Sequence, residues 1–301
     1  MPATTTLPAP PATPASPDTR ALAAVVVTVV CWASAFVAIR EVGRSFDPGA
    51  LALGRLLIAA VVLGLVVAMR GGWVTPTRRE WGLVFVCGLA WFAAYNIALN
   101  AAEQRIDAGT AAMLVNVGPI LIGLFAGTVL GEGFPRWPMI GAAVAFVGAL
   151  LIGVATAESA GADLAGVGLC LLAALGWAVG VTAQKPALQR LPALQVTLMA
   201  CVIGAVACLP FAGTLAGDAG GASGGALAGL LYLGLVPTAL AFGTWAYALS
   251  RMDAGRLGIT TYLVPPLTIA AAWPLLDEVP PALAFAGGAL ALAGVFLSRR
   301  R

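Results

Sequence analysis

Polar and aromatic residues recur at helical spacing inside the apolar segments of this chain. Phe92, Asn96 and Asn100 are each four residues apart, so a helix presents them on one face. A ring and two amides can enclose and hydrogen-bond a small organic molecule, but they offer no acid or base. With similar residues elsewhere they predict an uncharged, aromatic cavity, and packing between helices is the alternative for each of them. The other candidates are Trp32, Ser34, Tyr95, Asn116, Trp177, Thr261 and Tyr262, with Trp91, Gln184 and Trp245 as further amphipathic surface.

The usual catalytic groups are absent from the sequence. It contains no histidine, which excludes histidine zinc sites, Ser-His and Cys-His dyads and histidine proton relays. The 13 Asp and Glu residues lie outside the long apolar segments, so these segments hold no acid, base or metal cluster. No Walker-type Gly-Lys-Ser/Thr motif occurs. We therefore predict no catalytic residue, no metal and no cofactor, and a membrane enzyme is the least favoured alternative.

The composition is that of a membrane protein. Of the 301 residues 60% are hydrophobic and 10% are charged, and the mean hydropathy is +0.97, whereas a soluble domain is about half apolar and about a quarter charged. Such a chain could not cover the surface of a globule with polar groups, which excludes a soluble enzyme, a nucleic-acid-binding protein and a disordered protein. The five cysteines all lie in apolar segments and are predicted to be packing residues without disulfides.

Apolar segments of about 20 residues alternate with short groups of charges. That length lets a helix cross the hydrocarbon core of a bilayer, and Arg55 is the only charged residue inside any such segment. We therefore predict an all-α integral membrane protein with ten transmembrane helices in the lipid bilayer. The ten predicted spans are 21–39, 49–69, 81–102, 108–131, 137–155, 164–183, 193–213, 226–249, 257–276 and 281–298.

Basic residues between the spans predict the orientation. Apart from Arg55, only Arg40, Arg44 and Arg105 of the 16 Lys and Arg residues fall on the side opposite the N-terminus, and short cytoplasmic loops are enriched in basic residues. We expect a multi-pass protein of the inner (cytoplasmic) membrane with both termini in the cytoplasm. The net charge of +3 then reflects topology and not a nucleic-acid partner. Residues 1–20 are rich in proline and are expected to form a disordered cytoplasmic tail.

The chain contains an internal repeat. Arg105–Gly109 matches Arg251–Gly255 at an offset of 146 residues. The same offset relates Pro119 to Pro265, Glu132 to Glu278, Gly141 to Gly287 and Gly148 to Gly294. Each copy holds five predicted spans, so the second copy enters the membrane from the opposite side, as in secondary transporters whose similar halves exchange conformations. We predict two five-helix repeats at 21–155 and 164–298, with a duplicated passive scaffold as the alternative.

A set of short stretches, some of them present in both halves, indicates a resemblance to a known family by its order and spacing. They are Cys31–Arg40, Pro48, Arg55, Ala108–Pro119, Gly131–Glu132, Gly141 and Gly148, with Ala254–Pro265, Glu278, Gly287 and Gly294 in the second half. With these residues the sequence resembles, over 21–298, the EamA-type members of the drug/metabolite transporter superfamily. The resemblance implies a ten-helix carrier with cytoplasmic termini that exports amino acids or other small metabolites. It departs most in the sixth and seventh spans, where Ala200 stands at the position that would repeat Arg55.

Prolines lie near the middle of the fourth and ninth spans. Pro119 and Pro265 lack the amide N–H of an ordinary helix residue, which would free the carbonyls of Val115 and Thr261. A free carbonyl in hydrocarbon must face protein, water or a ligand, and breaks at equivalent positions of inverted repeats are typical of a midplane binding site. The sequence therefore predicts substrate contact near both prolines, with a static kink as the alternative.

Arg55 lies about two turns inside the outer end of the second span. A charge at such a position is costly and often functional. It could attract an anionic group such as a substrate carboxylate. It could also be a structural arginine that snorkels outward or pairs with an acid of an outer loop, and the sequence leaves both interpretations open.

Four charges end their spans at symmetric positions. Arg40 and Glu278 lie on the outer side, whereas Lys185 and Glu132 lie on the inner side. We hypothesise one gate ion pair on each face, formed when that face is closed, with independent anchors at the membrane interface as the alternative. Partly exposed pairs contribute about 1 kcal/mol or less, which would bias a conformational equilibrium without locking it.

These features predict a secondary, non-ATP transporter that exports small metabolites such as amino acids by alternating access. Facilitated diffusion is favoured, because proton exchange generally needs an acid buried in the membrane and no Asp or Glu lies inside a predicted span. A proton-coupled exporter of drugs or toxic compounds is the alternative. The expected partners are a small-molecule substrate and the bilayer, without nucleic acid. The oligomeric state is open, and a monomer would suffice.

Overall fold

The computed structural model of the protein describes residues 18–106, 108–157, 163–276, 282–298 and 300. All regular elements in this described part are helices, which confirms the predicted all-α class. Most of the predicted tail and Glu278 lie outside the described residues.

The helices begin and end close to the charges that flank the predicted spans. In the first half they are α1 Thr19–Val42, α2 Pro48–Arg70, α3 Arg78–Glu103, α4 Ala108–Val115, α5 Gly118–Thr128 and α6 Arg136–Ala157. In the second half they are α7 Leu164–Ala187, α8 Ala193–Ala207, α9 Ala212–Gly221, α10 Gly224–Leu249, α11 Ala254–Thr260, α12 Val264–Leu276 and α13 Ala282–Ser298. Short 3-10 turns lie at Leu209–Phe211 and Thr261–Leu263.

Six helical segments of the described chain are long and apolar enough to cross a membrane, and a bent pair would make a seventh. The pair is α8 with Leu209–Gly221, at an angle of 57°. Each of the ten predicted spans coincides with one helix or a broken pair, but their arrangement as two inverted repeats remains a prediction. Large apolar side chains such as Val61 and Met69 are exposed on α2, as expected where a helix faces lipid. The six segments are Thr19–Val42, Pro48–Arg70, Arg78–Glu103, Ala111–Thr128, Leu164–Ala187 and Gly224–Leu249.

Aspartate caps begin three of these helices. Each carboxylate accepts backbone N–H groups of the first helical turn, where a negative charge is favourable. The caps are Asp18, Asp47 and Asp163. The pKa of Asp163 lies below its usual value, because the Ala165 N–H donates to the carboxylate and the Arg105 side chain pairs with it at 3.2 Å. This pair joins the loop after α3 to the start of the second half.

Two helices contain a π-helical segment at equivalent positions. In α3 it covers Gly88–Tyr95 and in α10 it covers Gly234–Leu240, so the two segments begin 146 residues apart, the offset of the sequence repeat. A Cβ on the first glycine would lie 2.7 Å from the Ile203 side chain of α8 in one segment and 2.6 Å from the Ile58 side chain of α2 in the other. Each π segment thus packs against the other half of the chain, through a glycine that permits the close approach.

The helices α6 and α13 pack at backbone contact. A Cβ on Gly148 would lie 2.5 Å from the amide nitrogen of Ala291, and a Cβ on Gly294 would lie 2.6 Å from the carbonyl oxygen of Gly141. Glycines spaced seven residues apart remove the side chains that would otherwise separate the helices. The last helix of each predicted repeat therefore lies against that of the other.

Candidate functional site

Six aromatic side chains meet inside the helix bundle. The centroid of the Trp32 ring on α1 lies 5.0 Å from that of Trp245, 5.8 Å from those of Trp177 and Phe242, and 6.1 Å from that of Trp91. Tilted and edge-to-face ring pairs of this kind are favourable. The rings come from α1, α3, α7 and α10, two helices of each predicted half. We call Trp32, Trp91, Phe92, Trp177, Phe242 and Trp245 the aromatic cluster.

Three predicted cavity residues, Trp32, Phe92 and Trp177, belong to this cluster. Phe242 is a member that the sequence reasoning missed. It lies three residues before Trp245 on α10, so the two rings share a helix face. The three-residue spacing from Trp245 could have identified Phe242 from the sequence.

Several polar atoms of the cluster, and of a residue two turns further along α7, are buried without a hydrogen-bond partner among the described residues. They are the indole Nε1 atoms of Trp177 and Trp245 and both amide atoms of Gln184. Gln184 lies seven residues after Trp177 on α7 and is fully buried, so it follows on the same helix face. A buried unpaired polar group costs about 1–3 kcal/mol. The arrangement therefore offers N–H donors to a polar molecule held against aromatic rings.

The predicted break at Pro119 reaches the cluster. The helix stops at Val115 and resumes at Gly118, where an added Cβ would lie 2.5 Å from the Trp177 ring. Asn116, within the break, donates from Nδ2 to the Ala112 carbonyl at 2.6 Å. Its Oδ1 is buried without a partner among the described residues. The first proline break thus brings one acceptor close to the aromatic rings.

The second break differs from the expectation. α11 ends at Thr260, and α12, which contains Pro265, begins at Val264. The Thr261 carbonyl was expected to be free, which is wrong, because it accepts the N–H of Val264 within the intervening 3-10 turn. The Thr261 hydroxyl donates to the Gly258 carbonyl at 2.7 Å. Thr261 therefore satisfies both its carbonyl and its hydroxyl within the break.

Tyr262 and Ser34 lie away from the cluster. Tyr262 packs with Ala145 and Val295 in a small separate core, and its hydroxyl is buried without a partner in the described part of the chain. Ser34 donates to the Cys31 carbonyl and hydrogen-bonds the Tyr232 hydroxyl at 2.7 Å. Ser34 thus links α1 to α10, and Tyr262 packs against α6 and α13.

The two asparagines predicted to share a face with Phe92 bind backbone groups instead. Asn96 donates from Nδ2 to the Phe92 carbonyl at 2.8 Å, which stabilises the end of the π segment. Asn100 donates to the Pro48 carbonyl at 3.0 Å, which holds α3 against the start of α2. Of the three residues on this face, Phe92 alone belongs to the aromatic cluster.

Arg55 is buried in a polar contact between the halves. It is 3% exposed, so outward snorkelling is wrong. Its Nε donates to the Thr238 hydroxyl at 2.9 Å, and that hydroxyl donates to the Leu233 carbonyl at 2.7 Å. Thr238 belongs to the π segment of α10. The guanidinium therefore links α2 directly to an irregular part of the other half.

Glu103 is a buried acid that the sequence reasoning missed. It was placed just outside the third span, but α3 continues through it and it is 3% exposed. It interacts electrostatically with Arg55 and Tyr95. The available signal was its spacing, seven residues after Asn96 and three after Asn100, which places it on the polar face of α3. The expectation that the helices bury no acid is thus wrong.

The described gate candidates, Arg40, Lys185 and Glu132, bind backbone groups at helix ends and loops in this structure. Lys185 donates from Nζ to the carbonyls of Leu249 at 2.7 Å and Met252 at 2.5 Å. Glu132 accepts the backbone N–H groups at the start of α11, at 2.7 and 3.0 Å. No salt bridge joins these two described side chains. Arg40 donates to the Ile106 carbonyl at 3.3 Å, at the position that the repeat relates to Met252.

Lys185→Met should therefore destabilise the protein. The change removes two charge-assisted bonds of a half-buried ammonium, one to the last residue of α10 and one to the loop that follows it. Together they contribute about 1.5–3 kcal/mol, so the thermal midpoint in detergent should fall by about 3–6 °C. Arg79→Met is the matched control, because Arg79 is exposed in the first turn of α3. This variant should change the thermal midpoint by less than about 2 °C. Equal midpoints for the two variants would contradict this role of Lys185.

A groove of about 430 Å³ lies between α5, α6 and α11. Its lining includes Pro119, Met139 and Phe146, and its charged members are Glu132, Asp253 and Arg256. No residue of the aromatic cluster lines it. Pro119 thus borders a space on the opposite side of α5 from the contact with Trp177.

Comparisons with known proteins identify a matching family and a similar solved structure. The profile described as the EamA-like transporter family matches residues 19–154 and, a second time, residues 164–300. A solved structure titled "Crystal structure of protein" superimposes with a TM-score of 0.76 at 20% identity, over 93% of this chain and 96% of its own. That likeness concerns the fold alone.

Two curated relatives carry transport names. A protein of Streptantibioticus cattleyicolor named "Probable terminal-alkyne amino-acid exporter" is 38% identical over 94% of both chains. A protein of Salmonella typhimurium named "Probable amino-acid metabolite efflux pump" is 26% identical over 90% of this chain and 92% of its own.

Proposed function

The chain belongs to the EamA-like transporter family, and on that premise we propose that it exports a small amino-acid-like metabolite by alternating access. The names of the relatives support a small-molecule exporter. The finer assignment depends on one observation, the aromatic cluster with unpaired N–H donors at the meeting point of both halves.

The chemistry of the cluster suits a zwitterion. A carboxylate would accept from the indole N–H groups of Trp177 and Trp245, which otherwise lack partners among the described residues. An ammonium group is attracted to the faces of tryptophan rings, and an apolar side chain packs against their edges. None of the six rings carries a charge, and a net charge is costly at a buried site. The site therefore favours a substrate with no net charge.

The exchange of conformations would use the symmetry of the chain. We propose ten spans in two inverted repeats, with both termini in the cytoplasm and the protein in the cytoplasmic membrane. The exchanged glycine–isoleucine contacts of the two π segments support this arrangement, because equivalent segments make the same contact with opposite partners. Swapping the conformations of the halves would open the cluster to one side and then to the other.

Counterflow in liposomes tests the proposal. Purified protein should exchange labelled L-propargylglycine, L-leucine or L-phenylalanine against the same unlabelled compound without any ion gradient. Trp177→Phe keeps the ring but removes the Nε1 donor, so KM should rise by about 10-fold with little change in maximal rate. Trp73→Phe, at an exposed position, is the control. Absence of exchange for all three compounds, or an unchanged KM for Trp177→Phe, would overturn the proposal.

A further inference from the structure

We propose that the groove between α5, α6 and α11 binds one phospholipid of the inner leaflet whose headgroup carries an ammonium and a phosphate, namely phosphatidylethanolamine. One acyl chain lies along α5 and α6, and the headgroup lies at Asp253 and Arg256. The inference uses the proposed topology only to name the leaflet, and it does not depend on which metabolite is exported.

The apolar walls of the groove are the first support. Leu124, Met139 and Val147 line the groove and are each about half exposed, so the space opens towards the surrounding hydrocarbon of a membrane. An empty space of about 430 Å³ would deprive these walls of dispersion contacts. The hydrocarbon chain of a lipid supplies these contacts without burying any polar group.

The length of the groove matches one leaflet of a bilayer. Along α6 the lining extends from Pro138 to Val147, which is a rise of about 14 Å at 1.5 Å per residue. Half of the hydrocarbon core of a bilayer is about 15 Å thick. An acyl chain laid along α6 therefore reaches from the headgroup level to the middle of the membrane, where Pro119 of α5 also borders the groove.

An aromatic ring between two arginines marks the headgroup level at one end of the groove. Trp137 lies at the start of α6, and tryptophan is enriched where the hydrocarbon meets the headgroups. The guanidinium groups of Arg136 and Arg300 lie over its ring, 5.3 and 5.7 Å from the centroid. This is the predicted inner end of α6, and basic pockets between helices on that side bind lipid headgroups.

The charged residues of the groove complement a headgroup that carries both charges. Arg256 and Asp253 form an ion pair of 3.5 Å, and their side chains are 41% and 61% exposed. The outer nitrogens of a guanidinium carry four N–H groups, which can donate to a phosphate while the Asp253 carboxylate binds the ammonium. Glu132, the third charged member, already accepts two backbone N–H groups of α11. An anionic headgroup would be repelled by both acids, so the groove favours the zwitterionic one.

A lipid in this groove would contact both halves of the chain, because α5 and α6 belong to the first half and α11 to the second. A Cβ on Gly255 would lie 3.6 Å from the Cα of Gly123, and a Cβ on Gly258 would lie 3.4 Å from the Ile122 side chain. The helix α11 thus packs closely on α5 beside the groove. A ligand that binds this arrangement stabilises it relative to any arrangement in which α11 has moved away.

Lipid binding to delipidated protein in detergent tests the inference. Phosphatidylethanolamine should form a one-to-one complex in native mass spectrometry. At about 100 times its Kd it should raise the thermal midpoint by about 5 °C. Phosphatidylglycerol with the same acyl chains should bind about tenfold more weakly. Arg256→Gln should weaken the binding of phosphatidylethanolamine by about tenfold, whereas Asp253→Asn should remove the preference between the two lipids.

Gly123→Leu is the variant that fills the groove. Gly123 lines the groove, and a Cβ there would meet no atom of the described chain within 4 Å, so the leucine side chain enters the space without displacing a helix. This variant should lose the one-to-one complex and the rise in midpoint on adding lipid. Gly82→Leu, at an equally open position near the start of α3, is the matched control and should bind the lipid like the parent.

Absence of a one-to-one complex with the parent would overturn the inference, and so would an unchanged complex in Gly123→Leu. Equal affinity of the parent for the two lipids would overturn the assignment of the headgroup. A dimer of protein chains that excludes lipid would overturn the inference in favour of a second copy on this face. Each readout is a binding measurement, so failure of counterflow would refute the proposed function and leave this inference standing.

Discussion

Replacing Trp32 by alanine is expected to lower the rate of amino-acid counterflow by at least about 100-fold, while phenylalanine should retain part of it. The Trp32 ring contacts four other rings from three helices within 6.1 Å. Truncating an aromatic side chain at the centre of a binding site commonly costs about 2–4 kcal/mol of binding free energy, and about 3 kcal/mol corresponds to more than a 100-fold change in a binding equilibrium. Trp32 is also the cluster member that is only half-buried, so it is the one that an incoming molecule can reach.

Trp81→Ala is the control for this experiment. Trp81 is 48% exposed near the start of α3 and belongs to no ring pair of the aromatic cluster. Its removal should change counterflow by less than about twofold, in line with the small effects of most surface substitutions. Thermal stability measured in the same detergent separates lost transport from lost protein. A Trp32→Ala variant that transports at the parent rate would show that the cluster is packing alone.

The helices could be predicted because a bilayer imposes a simple rule. Every backbone group in hydrocarbon must be hydrogen-bonded within the segment, so an apolar run of the right length becomes a helix. The predicted span 49–69 became Pro48–Arg70, and 164–183 became Leu164–Ala187. Pro119 predicted a break between Val115 and Gly118 for an equally direct reason, since proline lacks the N–H that the helix needs.

The polar residues were harder to place because their partners are backbone atoms. Asn96 and Thr261 were identified by type and spacing, yet each donates to a backbone carbonyl three or four residues earlier. Such bonds depend on local geometry that the amino-acid types do not specify. A π segment adds to the difficulty, since it changes the helical period on which the assignment of faces depends.

The partners and the burial of the charged residues were also hard to predict from the sequence. Lys185 and Glu132 were predicted to form a gate ion pair, but in this structure both bind backbone groups of residues 249–255 rather than each other. Glu103 was passed over because the boundary between span and loop was set one residue too early. Burial at such a boundary is decided by the neighbouring helix, and the start of α2 covers this position.

Gly294→Leu is the second substitution expected to have a large effect, and it acts on packing rather than on the site. Even a Cβ at this position would lie 2.6 Å from the Gly141 carbonyl oxygen and would also meet backbone atoms of Ala145. Backbone atoms cannot rotate away as a side chain can, so α6 and α13 must separate. Overpacking typically costs about 1–3 kcal/mol and occasionally more. Because backbone atoms block the added side chain here, we expect a cost of about 3–5 kcal/mol, which lowers the thermal midpoint by about 5–10 °C.

Gly168→Leu provides the matched comparison, because Gly168 lies in α7 and a Cβ there would meet no atom of the described chain within 4 Å. It should leave the midpoint unchanged or raise it slightly, since leucine favours helix more than glycine does. The two variants add the same side chain to similar apolar helices, so hydrophobicity and helix propensity cancel in the comparison. Equal midpoints would mean that α6 and α13 do not pack at backbone contact. If Gly294→Leu alone is unstable, the contact between the last helices of the two halves contributes to the stability of the protein.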